Sequence, residues 1–249
     1  MGIVCAADII RASQRTVVLT GAGISTPSGI PDFRSPDSGL WERFDPFEVA
    51  SLSTFRYEPL KFYEWLRSLA VTILNAAPNP AHLSLARLQE LGFLQTIITQ
   101  NIDALHQKAG AQHVLQIHGS LETATCSRCF SQHQAQQYIS EYLSDWKVPK
   151  CPVCGGILKP DIVLMGEQLP VRIWLKAQEE CRNCDLMIVV GSSLEVLPVA
   201  GLPMFALEKG AHLILVNYST TYLDERADVV LHEDVADILP RIVAQVEKG

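Results

Sequence analysis

Residues 17–34 read VVLTGAGISTPSGIPDFR, and this stretch decides the fold. The apolar, β-branched run Thr16-Val17-Val18-Leu19-Thr20 breaks at Gly21-Ala22-Gly23 and passes into residues able to start a helix. That is the strand, turn and helix entrance of a nucleotide-binding α/β fold, whose glycines let backbone come close to a phosphate. As a hydride-transfer dinucleotide fingerprint it is incomplete. Thr26 stands where the third glycine belongs, and no acidic residue closes an obvious second strand to grip a ribose. A polar bend follows through Ser25, Thr26, Pro27, Ser28 and Gly29. Then Pro31-Asp32-Phe33-Arg34 sets an acid, an aromatic ring and a guanidinium side by side. Taken singly, Phe33 reads as core and Asp32 with Arg34 as a surface pair; as one block they read as part of a site.

The rest of the chain bounds what that site can serve. With 249 residues the chain is long enough for one large α/β domain carrying a small insert. Its seven cysteines are an odd number, no signal peptide precedes the first strand, and no apolar run approaches the roughly 18 residues of a membrane span. A reducing, cytoplasmic compartment is expected, without membrane association. Met1-Gly2 carries no lipid signal, because Ala6 occupies the position where Ser or Thr is required. A net charge of −7 with scattered basic residues argues against direct nucleic-acid binding and favours, weakly, a basic peptide.

Outward from the glycine loop one scheme repeats. Residues 5–13 read as a first helix, and a helix over 81–91 ends at Gly92. Thr96-Ile97-Ile98-Thr99 is a second buried strand, closed by Gln100-Asn101-Ile102-Asp103; Val114-Leu115-Gln116-Ile117 delivers His118-Gly119. Residues 159–167 read as a strand ending in a glycine turn, and a helix over 171–180 leads to a strand over 186–190. That strand delivers Gly191-Ser192-Ser193, whose N–H and O–H groups suit phosphate or ribose oxygens. A strand over 213–216 ends at Asn217, and residues 228–231 form an edge strand. Small polar groups beyond parallel strands are where open α/β sheets bind ligands.

Between these elements lie two inserts. Over 39–77, Trp41, Phe44, Phe47, Phe55, Tyr57, Phe62, Tyr63 and Trp65 fall among helix-compatible residues, with Pro46 and Pro59 placed for first turns; the aromatic stripe reads as core. Cys126-Ser-Arg-Cys129 and Cys151-Pro-Val-Cys154-Gly155-Gly156 are two CxxC knuckles roughly twenty residues apart, a pattern that presents four thiolates to one Zn²⁺. Four thiolates leave no open position, so the zinc is expected to be structural. Cys181-Arg-Asn-Cys184 has no partner pair and reads as incidental. The expected architecture is α/β, a doubly wound parallel Rossmann-type sheet over 1–44, 78–119 and 157–249. A small helical and zinc-knuckle domain is expected over 45–77 and 120–156.

GAGIS at 21–25, GIPDFR at 29–34, TQNIDALH at 99–106, HG at 118–119, the two knuckles and GSS at 191–193 occur together and in that order. In this combination, which covers nearly the whole chain, the sequence resembles the sirtuins, the silent-information-regulator family of NAD-dependent protein lysine deacylases, in a minimal bacterial or archaeal form. The resemblance implies that Ala22, Gly23, Ser25, Thr26 and Arg34 surround the pyrophosphate, with Asp32 in the same cofactor block. Gly191, Ser192, Ser193, Asn217 and the backbone near Val235 would hold the adenosine half. Gln100, Asn101, Ile102 and Asp103 would face the nicotinamide end, with Phe33 as a shield against water. It implies catalysis by His118, as general base on a ribose hydroxyl, and by Asn101, with transfer of the acyl group to ADP-ribose. The acyl-lysine peptide would add as a strand between residues 163–167, including Gly166, and the Glu195-Val196 loop. Its acyl chain would thread a tunnel lined by Phe33, Ile102, His118, Val163 and Met165.

Two other readings differ in class: a protein mono-ADP-ribosyltransferase, which breaks the same nicotinamide bond, and a non-catalytic NAD-sensing zinc-ribbon module, against which His118 speaks. For the acyl group, members that remove succinyl or malonyl groups carry a Tyr-x-x-Arg pair in the helical module. Here Tyr63 is present, Leu66 takes the arginine's place and Arg67 is one residue off, about 100° around a helix. Neutral acyl groups are therefore expected to be preferred over succinyl.

Overall fold

The computed structural model describes residues 2–32, 39–42, 44–145 and 147–248. Along the chain the strands are β1 (Thr16–Thr20), β2 (Thr96–Thr99), β3 (Val114–Gln116), β4 (Gly119–Cys126), β5 (Gln132–Gln134), β6 (Leu158–Ile162), β7 (Leu186–Val190), β8 (His212–Val216) and β9 (Val229–Leu231). Six form a parallel sheet in the order β3-β2-β1-β7-β8-β9, and β5-β4-β6 form a small antiparallel one. From β1 the chain builds outward through β2 to β3 and later resumes on the other flank with β7. The β1/β7 boundary is thus the switch point at which such sheets open a crevice beyond their carboxyl ends.

The central strands of the parallel sheet are apolar on both faces because both faces are covered. Val18, Ile97, Ile188 and Ile214 point to the side where the helices Gly2–Ala12, Pro80–Glu90 and Val235–Val246 pack. Val17, Leu19, Ile98, Met187, Val189 and Leu215 point to the other side, under Val171–Asn183 and Leu202–Leu207. Cys181 and Cys184 belong to that second core, where burial pushes both thiols up in pKa. They are packing residues.

The helical module consists of Pro46–Val49, Leu52–Tyr57 and Pro59–Asn75, with Pro46 and Pro59 in first turns as expected. Phe55, Phe62 and Tyr63 meet edge to face, with ring centroids 5.4 Å (Phe55 to Phe62) and 5.2 Å (Phe62 to Tyr63) apart. The stripe is core only in part, since Phe44, Phe47 and Tyr57 are exposed. Tyr63 donates its hydroxyl to the Leu158 carbonyl and Tyr142 donates to that of Tyr63, which ties the module to the small sheet.

The strand expected over 159–167 stops at Ile162. Beyond it the Met165 N–H donates to Ala50 O and Leu52 N–H donates to Met165 O, each at 3.0 Å, so the backbone turns away to pair with the module. Among the described residues no helix is long and apolar enough to cross a membrane.

Candidate active site and metal centre

The parallel ladders extend one residue past each strand and so fix the loops that follow. Gly21 N–H donates to Val190 O (3.1 Å), Gly23 N–H to Gly191 O (2.9 Å), Gln100 N–H to Thr20 O (2.9 Å) and Ile117 N–H to Thr99 O (3.0 Å). Glycine is required where these loops cross. A Cβ at Gly21 would lie 2.6 Å from Gly191 O, and one at Gly191, whose φ is +58°, would lie 2.3 Å from the nitrogen of Ile24. Gly119 is equally constrained, because a Cβ there would lie 1.9 Å from Asp161 O. The His-Gly pair thus lets β4 pass β6 at close range.

These loops border one cleft of about 1660 Å³ between the sheet's carboxyl edge and the helical module. Every described residue of the set expected at the cofactor and substrate lines it, from Ala22 and Asp32 to Asn217 and Val235. Phe33 and Arg34 lie outside the described residues. Sequence reasoning missed an apolar wall of Ile30, Trp65, Leu69 and Ile73. Trp65, Leu69 and Ile73 recur every four residues on one helix, a signal that also describes core. Tyr63 and Leu66, the positions compared for an acyl-carboxylate grip, are buried in the module and do not line the cleft.

At the centre, His118 places Nδ1 3.0 Å from the Gln100 carbonyl, which can only accept, so Nδ1 carries the proton and Nε2 keeps its lone pair. Burial lowers the basicity of this imidazole more than the Gln100 hydrogen bond restores it, favouring the neutral ring. Asn101 donates both amide hydrogens, to Gly21 O and to Ser25 Oγ at 3.0 Å each, which leaves Oδ1 as an acceptor. Ser25 in turn donates to Asp103 Oδ2 at 2.7 Å, and Leu105 N–H donates to Asp103 Oδ1 at 2.9 Å. Ser25 is 1% exposed, so its hydroxyl serves this network rather than solvent.

Beneath lie two buried histidines. His82 Nδ1 accepts from Asn79 N–H (3.4 Å) and Nε2 faces Ser25 Oγ (3.5 Å), while His106 Nε2 lies 3.0 Å from Thr20 Oγ1. Their rings stand 4.9 Å apart, and burial pushes both well below the ordinary histidine range. They form a neutral, hydrogen-bonded support. The Asn79–His82 contact is local, a capping box at the start of Pro80–Glu90, whereas Ser25 and Thr20 lie 57 and 86 residues from their histidines, too far for any local pattern to signal.

Beyond β6, Met165 spends its backbone on Ala50 and Leu52. Neighbouring residues of an extended segment present their backbone groups to opposite sides. Glu167 braces this segment, accepting from Leu164 N–H (3.0 Å) and pairing with Lys159 (3.0 Å).

At the far end of the small sheet, the four expected cysteines converge, with all Sγ atoms within 4.8 Å of one another. Cys126 Sγ lies 3.5 Å from Cys154 Sγ, and Cys129 Sγ 3.7 Å from Cys151 Sγ. Tetrahedral thiolates at about 2.3 Å from zinc stand about 3.8 Å apart, so the donor set fits a Cys₄ zinc ion with no position left open. A Cβ at Gly156 would lie 2.9 Å from Cys126 Sγ, which accounts for a glycine beside the knuckle.

Residues 21–198 match the family model described as "Sir2 family". The chain is 43% identical over 244 residues to NAD-dependent protein deacylase 2 of Archaeoglobus fulgidus, covering 98% of this chain and 95% of the relative. A solved Sir2 variant with deacetylated p53 peptide and 3′-O-acetyl ADP ribose superposes with a TM-score of 0.92 at 38% identity, covering 98% of each chain. A Sir2–p53 peptide–NAD⁺ complex gives 0.91 at 37% identity, covering 100% of each. Sequence motifs, parallel sheet, zinc-type knuckles and relatives agree, and the chain belongs to the Sir2 family.

Proposed function

We propose that this chain is an NAD-dependent protein lysine deacylase that passes the acyl group of an acyl-lysine to ADP-ribose and releases nicotinamide and the free lysine. The observation that carries this reading is a histidine with a lone pair on Nε2, in one cleft with the glycine loop and the Gln100–Asp103 segment. When bound, NAD supplies a labile bond between nicotinamide and ribose, and an acceptor for the acyl group. At the glycine turns 21–23 and 191–193 the N–H groups of Gly21, Gly23 and Gly191 are engaged by neighbouring carbonyls, so those of Ala22, Ser192 and Ser193 are the ones that suit the pyrophosphate and the adenosine half. Asn101 Oδ1 is the acceptor available to a ribose hydroxyl, and Asn101 is held in place by Gly21 and Ser25. His118 Nε2 takes the proton of a ribose hydroxyl as that oxygen attacks the acyl carbon. The peptide pairs with the segment around Gly166, on the side that Met165 does not use, while the Met165 side chain lines the acyl path. Zinc takes no part beyond holding the small sheet.

Product analysis tests the reaction class. Incubation with NAD and an acetyl-lysine peptide is expected to yield O-acetyl-ADP-ribose in equal amount to nicotinamide. ADP-ribosylated protein in its place would establish the transferase, and NAD binding without nicotinamide release would establish a sensor.

The acyl preference follows from the cleft wall. Among the described residues that line it there is no Lys or Arg, whereas Asp32, Glu42, Glu167 and Glu195 are acidic and Trp65, Leu69 and Ile73 apolar. A succinyl carboxylate would enter without a partner, and leaving a buried charge unpaired costs about 3–5 kcal/mol. On one peptide carrying each group in turn, acetyl, propionyl and butyryl are expected to be removed well, and succinyl about a hundredfold less efficiently in kcat/KM. A succinyl value equal to or above the acetyl value would overturn this reading of the wall.

A further inference from the structure

We infer that His232 is a positioning residue for the adenosine half of NAD, holding the two lips of that end of the cleft together from behind. The inference rests on the deacylase reading above. Asn217, Tyr218 and Ser219, which follow β8, form one lip; Asp234 and Val235, at the start of the helix Val235–Val246, form the other. His232 lies between β9 and that helix and is not itself part of the cleft lining. Its Nδ1 stands 2.8 Å from the Asn217 carbonyl oxygen and its Nε2 2.9 Å from Asp224 Oδ2. A carbonyl oxygen only accepts, so Nδ1 donates to Asn217.

One imidazole therefore connects three pieces of chain: the loop after β8, the turn Asp224–Arg226 and the entry to the last helix. Each is fixed on its other side. Asp224 Oδ1 accepts from the N–H (2.9 Å) and the hydroxyl (2.8 Å) of Thr221. Asp234 Oδ1 caps the helix by accepting from Ala236 N–H at 2.7 Å. Asn217 N–H donates to Leu231 O at 3.1 Å, and its side-chain nitrogen donates to Ser219 O at 2.8 Å. With that nitrogen engaged, Asn217 offers the cleft its Oδ1, an acceptor suited to a ribose hydroxyl. The side-chain amide is held by Ser219 O, and the chain that carries Ser219 leaves Asn217 through the peptide whose carbonyl His232 holds. Without the imidazole, Asn217 O and Asp224 Oδ2 lose the ring that lies between them, and the loop can turn.

The test separates nucleotide affinity from chemistry. Isothermal titration of ADP-ribose and steady-state kinetics on an acetyl-lysine peptide are run on the wild type, His232→Ala, Asp224→Asn and the double variant. His232→Ala is expected to raise the Kd for ADP-ribose and the KM for NAD about fivefold, the order set by one net hydrogen bond. The KM for the peptide and kcat at saturating NAD should move by less than about twofold, a split that general loosening of the fold would not produce. Asp224→Asn keeps the side-chain volume and should show a smaller effect of the same kind. The double variant should be no weaker than His232→Ala alone, because the two residues act as one unit. Unchanged ADP-ribose affinity in His232→Ala, or an equal loss in kcat and in peptide KM, would overturn the inference while leaving the deacylase reading intact. A wild-type enzyme that binds no ADP-ribose would overturn both.

Discussion

His118→Ala is expected to lower deacylation by about a hundredfold or more, the loss that follows removal of a general base, while ADP-ribose binding persists. The split is expected because His118 contributes no backbone to the glycine turns, whereas its ring is the basic group whose lone pair is left at the cleft. The same geometry fixes a pH dependence. Burial lowers the pKa of His118, partly offset by the Gln100 hydrogen bond, so the base stays unprotonated below the ordinary histidine value of about 6.5. As pH falls further, Nε2 gains a proton and the base is lost. The acid limb of kcat/KM should therefore lie below about pH 6.5, with activity sustained above it. Single-turnover rates on an acetylated peptide, together with a pH profile, check both statements. Wild-type turnover in the variant, or an acid limb above the ordinary histidine value, would remove His118 from the mechanism.

Loss of the metal should be felt at the other end of the small sheet from where it binds, since β4 runs from Gly119 beside His118 to the knuckle residue Cys126. Apparent zinc-binding energies of structural sites are about 10–16 kcal/mol, as large as the whole stability of a typical domain, about 5–15 kcal/mol. Cys126→Ser or Cys151→Ser is therefore expected to empty the site and unfold the small sheet. β4 begins at Gly119, directly after His118, and β6 ends at Ile162, directly before the cleft-lining Val163. Activity should fall with zinc content, although the ion touches no reacting atom. Zinc per chain and amide exchange across β4 and β6 report this directly. Cys181→Ala is the contrast: it trims a core contact, costing roughly 1 kcal/mol, and should retain one zinc per chain. Loss of zinc in that variant would show that the knuckles had been wrongly assigned.

Much of this was legible before any coordinates. Strands buried on both faces are short unbroken apolar runs, so β1, β2 and β7 stood out with their ends. Two CxxC pairs separate from a third because zinc needs four thiolates, and Cys181 with Cys184 lies in the core. The polar strands β4 and β5 leave no apolar period strong enough to read, whereas the helix Gln136–Asp145 carries Tyr138, Ile139, Tyr142 and Leu143 at helical spacing, a signal that sequence reasoning missed. The aromatic stripe was legible as helical, but not as divided. Phe62 and Tyr63 face the module's core, whereas Trp65 faces both core and cleft, and only the packing of three helices decides which. The Ser25–Asp103–Asn101 network was half visible, since its members sit in two readable motifs. The supporting histidines were not, because their contacts to Ser25 and Thr20 are made through the fold and only the Asn79–His82 capping pair is local.

Met165 shares its N–H and C=O with Ala50 and Leu52, so the segment proposed to receive the peptide is already one side of a ribbon whose other side is the helical module. A guest strand docking beside Gly166 would make that ribbon wider, and whatever stiffness it adds is transmitted across a single residue. On that proposal the module is coupled to the peptide twice, by backbone at Met165 and by the wall of Trp65, Leu69 and Ile73.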